Sequence, residues 1–301
     1  FDGYANGSGW SGRPRADRVL IRIYEDAAAQ LTSTQAGEVD VQFFTRLTAH
    51  ELTRLTAIRG MAVQKSRLGL HHFYSFNLND PSSELILDKR FRQATIWAIE
   101  RETLVNDVLG GVMRLPEVMN HWTAPWANSE NLERYHPWDV QKARDLLAEI
   151  GWKPDHVVKV AHYPPTLEPD VPVIMEMWNA VGIRTELSPI PDAEFVRTFF
   201  ADTDLETDGD QGPDFDIAFA YAFGTLDGSP WRSDLTLGSK HVYPNGSNSM
   251  RWRNEEWDTN FANALLQPNQ EQQAPLFREL AGDLECSGDL AFANIREAAG
   301  W

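Results

Sequence analysis

Cysteine is almost absent from this chain: Cys286 is the only one among 301 residues. A single thiol excludes an internal disulfide and any metal cluster built on cysteines alone, and it leaves the compartment open. Long apolar runs are missing too. No stretch approaches 18 uninterrupted apolar residues, so no membrane-spanning segment is expected. Phe1 opens polar, glycine-rich sequence, and no signal peptide is expected in this chain. A start at Phe-Asp-Gly-Tyr without Met reads as processed or excised. Positive charge is scarce, with 27 Lys and Arg against 44 Asp and Glu, a formal balance of −17. Such a surface repels phosphate backbones and anionic lipid, which argues against nucleic-acid and membrane-surface partners.

Familiar catalytic motifs are lacking as well. There is no Gly-Lys-Ser/Thr phosphate loop, no Gly-x-Ser-x-Gly elbow and no His-Glu-x-x-His zinc pair. His71-His72 is the only histidine doublet. Neighbours on a strand point to opposite faces, so one metal is poorly served by both, and no metal site is assigned. Carboxylates crowd Asp202 to Asp216 without a spacing that selects an acid/base pair or a calcium loop, so the segment reads as a solvated loop.

What the chain does have is alternation of strands and helices. Val19–Ile23 and Val39–Val41 have strand character around a helix at 27–36, a β-α-β signal with Gly37 as the stop. Thr48 to Glu51 has capping-box spacing and opens the next helix. His71–Leu78 reads as a strand. Phe91, Ala94, Thr95, Ala98 and Ile99 share one helix face behind a cap at Asp88. A helix from Arg101 to Leu109 ends at Gly110-Gly111. Another, carrying Val140, Ala143, Leu147 and Ile150, ends at Gly151. Strands follow at 157–162, 183–187 and 215–221, with helices at 173–181 and 193–200. Two more helices start behind Asn254 and near Glu271. This pattern predicts an α/β fold.

Eleven tryptophans are a high load, and Trp122, Trp126, Trp231 and Trp252 fall in loop-like sequence. Most such residues serve cores. Tyr221, Phe223 and Trp231 differ because they follow the 215–221 strand, and ligands of open α/β sheets sit beyond the carboxyl ends of strands.

The run Leu87 to Gly111 (Leu-Asp-Lys-Arg-Phe-Arg-Gln-Ala-Thr-Ile-Trp-Ala-Ile-Glu-Arg, then Gly-Gly) resembles the most recognisable segment of the peptide/nickel-binding family of bacterial solute-binding proteins, family 5. Gly12–Asp17, Gly37–Asp40, Phe76-Asn77, Lys142–Trp152, Asp214–Ala218 and Asn254–Asp258 resemble further family motifs in the same order. The resemblance implies periplasmic-binding-protein-like (type II) lobes that close on a solute. It implies part of a first lobe at 1–80 and most of a second at 81–301, the latter carrying one wall of an interlobe cleft. It also implies the receptor of an ABC importer, a monomer outside the cytoplasm, periplasmic or lipid-anchored. Its partners are then a small-molecule or peptide solute and permease subunits, with no cofactor and no catalysis.

Tyr221, Phe223 and Trp231 are the expected pocket aromatics, with Asp227 as polar anchor and Asn77 near the lobe crossing. Peptide-binding relatives carry an acid that meets the peptide amino terminus, where this chain has Thr225. A buried ammonium lacking a carboxylate is costly, so the departure favours oligosaccharides as an alternative solute class. The rival function is an extracellular carbohydrate-active enzyme with paired carboxylates beside Trp platforms. A third is a ligand-free regulatory or structural module.

Overall fold

The structure is a computed structural model. It describes residues 2–3, 18–24, 27–42, 49–62, 70–78, 81–111, 113–114, 138–162, 169–188, 215–223, 231–242, 248, 250–286 and 292–298. The chain divides into two compact units, Phe1–Val63 and Gln64–Trp301.

In the first unit, β1 (Asp2–Gly3) and β2 (Val19–Leu20) form a short antiparallel pair. Helix α1 (Ala27–Gln35) stops where Gly37 takes φ +72°, and α2 is Ala49–Thr56. Leu31 of α1 and Leu55 of α2 are buried together with Leu52, Ile58 and Met61 packed around them. The expected β-α-β unit does not form. Val39–Val41 is irregular, and the strand expected at 19–23 shrinks to two residues. A strand persists only where a neighbour takes its backbone hydrogen bonds. Among the described residues 39–41 pair with no strand, and Val41 is 62% exposed. Side chains hold this turn instead: Ser33 Oγ and Arg22 Nη1 donate to Glu38 Oε2 at 2.9 and 3.0 Å.

The second unit is built on a six-stranded mixed sheet. Its strands are β3 (Leu70–Phe76), β4 (Met113–Arg114), β5 (Val157–His162), β6 (Arg184–Leu187), β7 (Ile217–Phe223) and β8 (Phe292–Ala298), in the order β4-β8-β3-β7-β5-β6. Strands β5, β6 and β7 run parallel; β3 is antiparallel to both β7 and β8, and β4 to β8. Strand β3, grouped by sequence with the first 80 residues, thus pairs inside the second unit.

Strand alternation explains the two cores. Tyr74, Phe76, Val158, Val160, Ile217 and Phe219 line one face. They pack against α3 (Lys89–Trp97), α5 (Val140–Glu149) and α6 (Asp170–Val181) through Phe91, Ala94, Leu147, Ile174 and Trp178. Phe73, Ala161 and Ala218 line the other face against α8 (Glu255–Leu265) and α9 (Gln270–Cys286), with Trp257, Phe261 and Phe277. Tyr74 meets Trp178 edge-on at 5.0 Å, and its hydroxyl is 3.0 Å from Thr95 Oγ1. Burial pushes that phenol up to about 12, against smaller opposing effects of Arg101 and Thr95.

The helix ends follow local chemistry. Asp88, Asp139 and Asn254 accept backbone N–H bonds at the starts of α3, α5 and α8. Gly151 and Gly182 take φ +70° and +99° where α5 and α6 stop. The helix expected over 101–109 is different in kind. It is a short α4 (Arg101–Thr103) that widens into a π turn at Leu104–Val108. Leu109 N–H reaches back five residues to Leu104 O at 3.0 Å, and Leu104 and Val105 are buried. The helix expected over 193–200 lies outside the described residues.

Candidate functional site

The two ends of β7 differ chemically. At its amino end, Asp216 is 1% exposed. Its Oδ1 accepts Ser82 N–H at 2.6 Å, and its Oδ2 accepts Ser82 Oγ–H and Lys159 N–H at 2.8 Å each. Asn77 N–H donates to Asp216 O at 2.8 Å, and Asn77 Nδ2 donates to Phe215 O at 3.1 Å. These bonds stitch the outgoing end of β3 to the incoming ends of β5 and β7. The carboxylate-rich segment 202–216 was expected to be solvated, and its last residue is not: Asp216 is a core acceptor. Ser82 Oγ also lies 2.8 Å from His156 Nε2. In an acyl-transfer relay the imidazole stands between hydroxyl and carboxylate. Here the hydroxyl stands between the other two, which is the order of a structural knot.

At the carboxyl end the register brings candidate residues together. Tyr221 pairs with His72 and Phe223 with Leu70, while His72 and His71 pair on their other side with Arg296 and Glu297. His162 ends β5 at the level of Phe219. Trp231 opens α7 (Trp231–Leu237), the next described element after β7. Asp227 lies in the connection, outside the described residues, as do Trp122 and Trp126. Asn77 stands at the opposite end of β3, about 20 Å away along the strands at roughly 3.3 Å per residue. The structure therefore sets Tyr221 and Phe223 at one strand end and Asn77 at the other, while Trp231 follows in the next described element. Trp252 is 6% exposed against Trp257, a core position.

Two buried features were not legible in the sequence. One is a buried pair: His72 Nδ1 lies 2.9 Å from Asp170 Oδ2, with side chains 2% and 0% exposed. The signal was a histidine within an otherwise apolar strand face, but nothing in the sequence named a partner 98 residues away. The other is Asn248, fully buried just past α7. Its Nδ2 reaches Leu237 O, Gly238 O and Trp252 O at 3.1, 3.2 and 2.9 Å, and its Oδ1 accepts Trp252 N–H. This amide fixes the far end of the helix that Trp231 begins. No group of three or more His, Cys, Asp or Glu among the described residues could hold a metal.

The second unit is a layered α/β fold on a mixed sheet, with Tyr221 and Phe223 at the carboxyl end of β7. Residues 1–243 match the family described as "Bacterial extracellular solute-binding proteins, family 5 Middle", and this chain belongs to that family. The oligopeptide-binding protein AppA of Bacillus subtilis is 31% identical over 157 residues, 50% of this chain and 26% of the relative. Heme-binding protein A of Haemophilus influenzae is 24% identical over 283 residues, 90% and 47% of the two chains. Among solved structures, the periplasmic binding protein DppA of Helicobacter pylori in complex with the peptide STSA superposes with a TM-score of 0.79. It is 16% identical, over 96% of this chain and 53% of the other. The chain thus spans about half or less of the length of these relatives. The oligosaccharide and enzyme alternatives find no support among these proteins, all named for binding. Among the described residues, no helix is long and apolar enough to cross a membrane.

Proposed function

We propose that this chain is part of the solute-binding receptor of an ABC importer and contributes the wall of a solute site at the carboxyl end of β7. Tyr221, Phe223 and Trp231 provide aromatic contact area, and Asp227 supplies a carboxylate for a peptide amino group. Asn77 supports the site from the opposite strand end by anchoring β3. The observation that supports this reading is the register, with Tyr221 and Phe223 at the carboxyl end of β7 and Asp216 and Asn77 hydrogen-bonded at the other end. A peptide-type solute is favoured because relatives named for peptides include both a sequence match and a superposable structure. The receptor acts outside the cytoplasm, as a monomer that hands its solute to permease subunits, and performs no chemistry on it.

A thermal-shift screen against tetrapeptides, oligosaccharides, heme and nickel tests this. A solute at 100 times its dissociation constant stabilises the native state by about 2.7 kcal/mol, a shift of a few degrees. A shift with tetrapeptides that Trp231→Ala abolishes is the expected result. A shift with another class alone overturns the peptide assignment, and an unchanged response in Trp231→Ala overturns the pocket.

A further inference from the structure

Burying a histidine and an aspartate in an apolar face forfeits solvation that a pair of aliphatic side chains would not lose. Here the cost is met where the sheet approaches its candidate site. His72 is 1% exposed, its ring lies 5.7 Å from that of Phe219, and Nδ1 is 2.9 Å from Asp170 Oδ2. Asp170 is the first residue of α6, a twelve-residue helix whose amino end favours a negative charge. The helix packs on the same sheet face through Val171, Ile174 and Trp178.

Register places His72 in a cross-strand row between Arg296 of β8 and Tyr221 of β7. The groups against the imidazole include Asp170 from α6 and the ring of Phe219 from β7, while the backbone of His72 pairs with Tyr221 on one side and Arg296 on the other.

We infer that His72, held by Asp170, is a positioning residue for the solute site: it sets the end of β7 on which Tyr221 stands, and its protonation is transmitted to that position. Asp170 fixes which ring nitrogen faces the helix and locks the imidazole against Phe219. A change of charge on the ring alters its attraction to Asp170. The end of β7 whose backbone pairs with His72 is the part able to respond. This inference rests on Tyr221 being a pocket residue, but its test does not require a solute.

With only seven tyrosines in the chain, selective ¹⁵N-tyrosine labelling gives a sparse NMR spectrum, and Tyr221→Phe identifies the Tyr221 amide. Between about pH 5 and pH 8, where histidines titrate, that amide is expected to move with the same midpoint as the His72 ring. His72→Gln abolishes the movement, and Asp170→Asn displaces the midpoint to lower pH, because the carboxylate that favoured the imidazolium is gone. Should His72→Gln fail to fold, Asp170→Asn alone carries the test. A Tyr221 signal that stays flat through the His72 titration, or a His72 ring that does not titrate in this window, overturns the inference. If the tetrapeptide screen gives binding, the affinity must change at least threefold across the same midpoint. Invariant peptide affinity disproves the link to the solute, while absence of peptide binding counts against the proposed function and leaves the NMR result to decide the coupling.

Discussion

The amino and carboxyl ends of β7 belong to one strand of seven residues, yet their surroundings differ. At the amino end, polar groups answer one another: a single carboxylate accepts from Ser82 twice and from Lys159 once, and Asn77 adds two bonds to the neighbouring carbonyls. At the carboxyl end, Tyr221 pairs with His72, whose ring is held by the buried Asp170; further along the chain Asn248 ties down the end of α7. The lesson is that burial of polar residues does not by itself mark a site. At one end it closes the fold, and at the other it stands beside the positions proposed for a solute.

Substitutions at the two ends should separate stability from binding. The largest effect is expected from Asp216→Ala, which removes a buried carboxylate that accepts from two part-buried backbone N–H groups and the Ser82 hydroxyl. A loss of about 3–4 kcal/mol in urea unfolding is expected, with solute affinity of the folded fraction unchanged. A change in affinity would erase the distinction between the ends.

Tyr74, midway along β3, sets the scale for the core between them. Its folded value of about 12 lies above the ordinary 10, so the folded state holds the proton more firmly. The stability it contributes is whole below pH 10 and disappears as pH rises toward 12, about 2–3 kcal/mol in all. Tyr74→Phe should flatten that alkaline decline in a pH series of urea melts.

Asn248→Ala sharpens the comparison from the other side. Losing the amide that ties Leu237, Gly238 and Trp252 should cost about 2 kcal/mol and, unlike Asp216→Ala, also weaken solute binding. Calorimetric titration of both variants shows whether the difference exists. The smallest effect belongs to Gly182→Ala. No atom lies within 4 Å of an added Cβ there, so only the φ of +99° is penalised, by about 1 kcal/mol in thermal unfolding and with no effect on binding.

Much of this architecture was legible in the sequence where local chemistry decides it. Strand 157–162 is legible to the residue as a short run of strand character, three of its six residues being Val. Asp88 and Asn254 were read as caps, because a short polar side chain before an apolar-periodic run has little else to do. Pairing decided the rest. Val39–Val41 has strand residues but no partner strand, whereas Phe292–Ala298 pairs with both β3 and β4 although its sequence gave no strand signal strong enough to stand alone. Tyr221, Phe223 and Trp231 could be nominated because they follow one strand in sequence. His72 with Asp170 could not, since their meeting depends on which strand lies over which helix.

Hydrogen exchange read by mass spectrometry, with and without a saturating tetrapeptide chosen from the screen, tests the central claim most directly. Residues 217–223 and 231–237 should gain protection on binding, while Asn77–Ser82 and Phe215–Asp216 stay unchanged. Protection concentrated at Asn77, Ser82 and Asp216, with none at the carboxyl end of β7, would contradict the account and move the solute to the end assigned here to the fold.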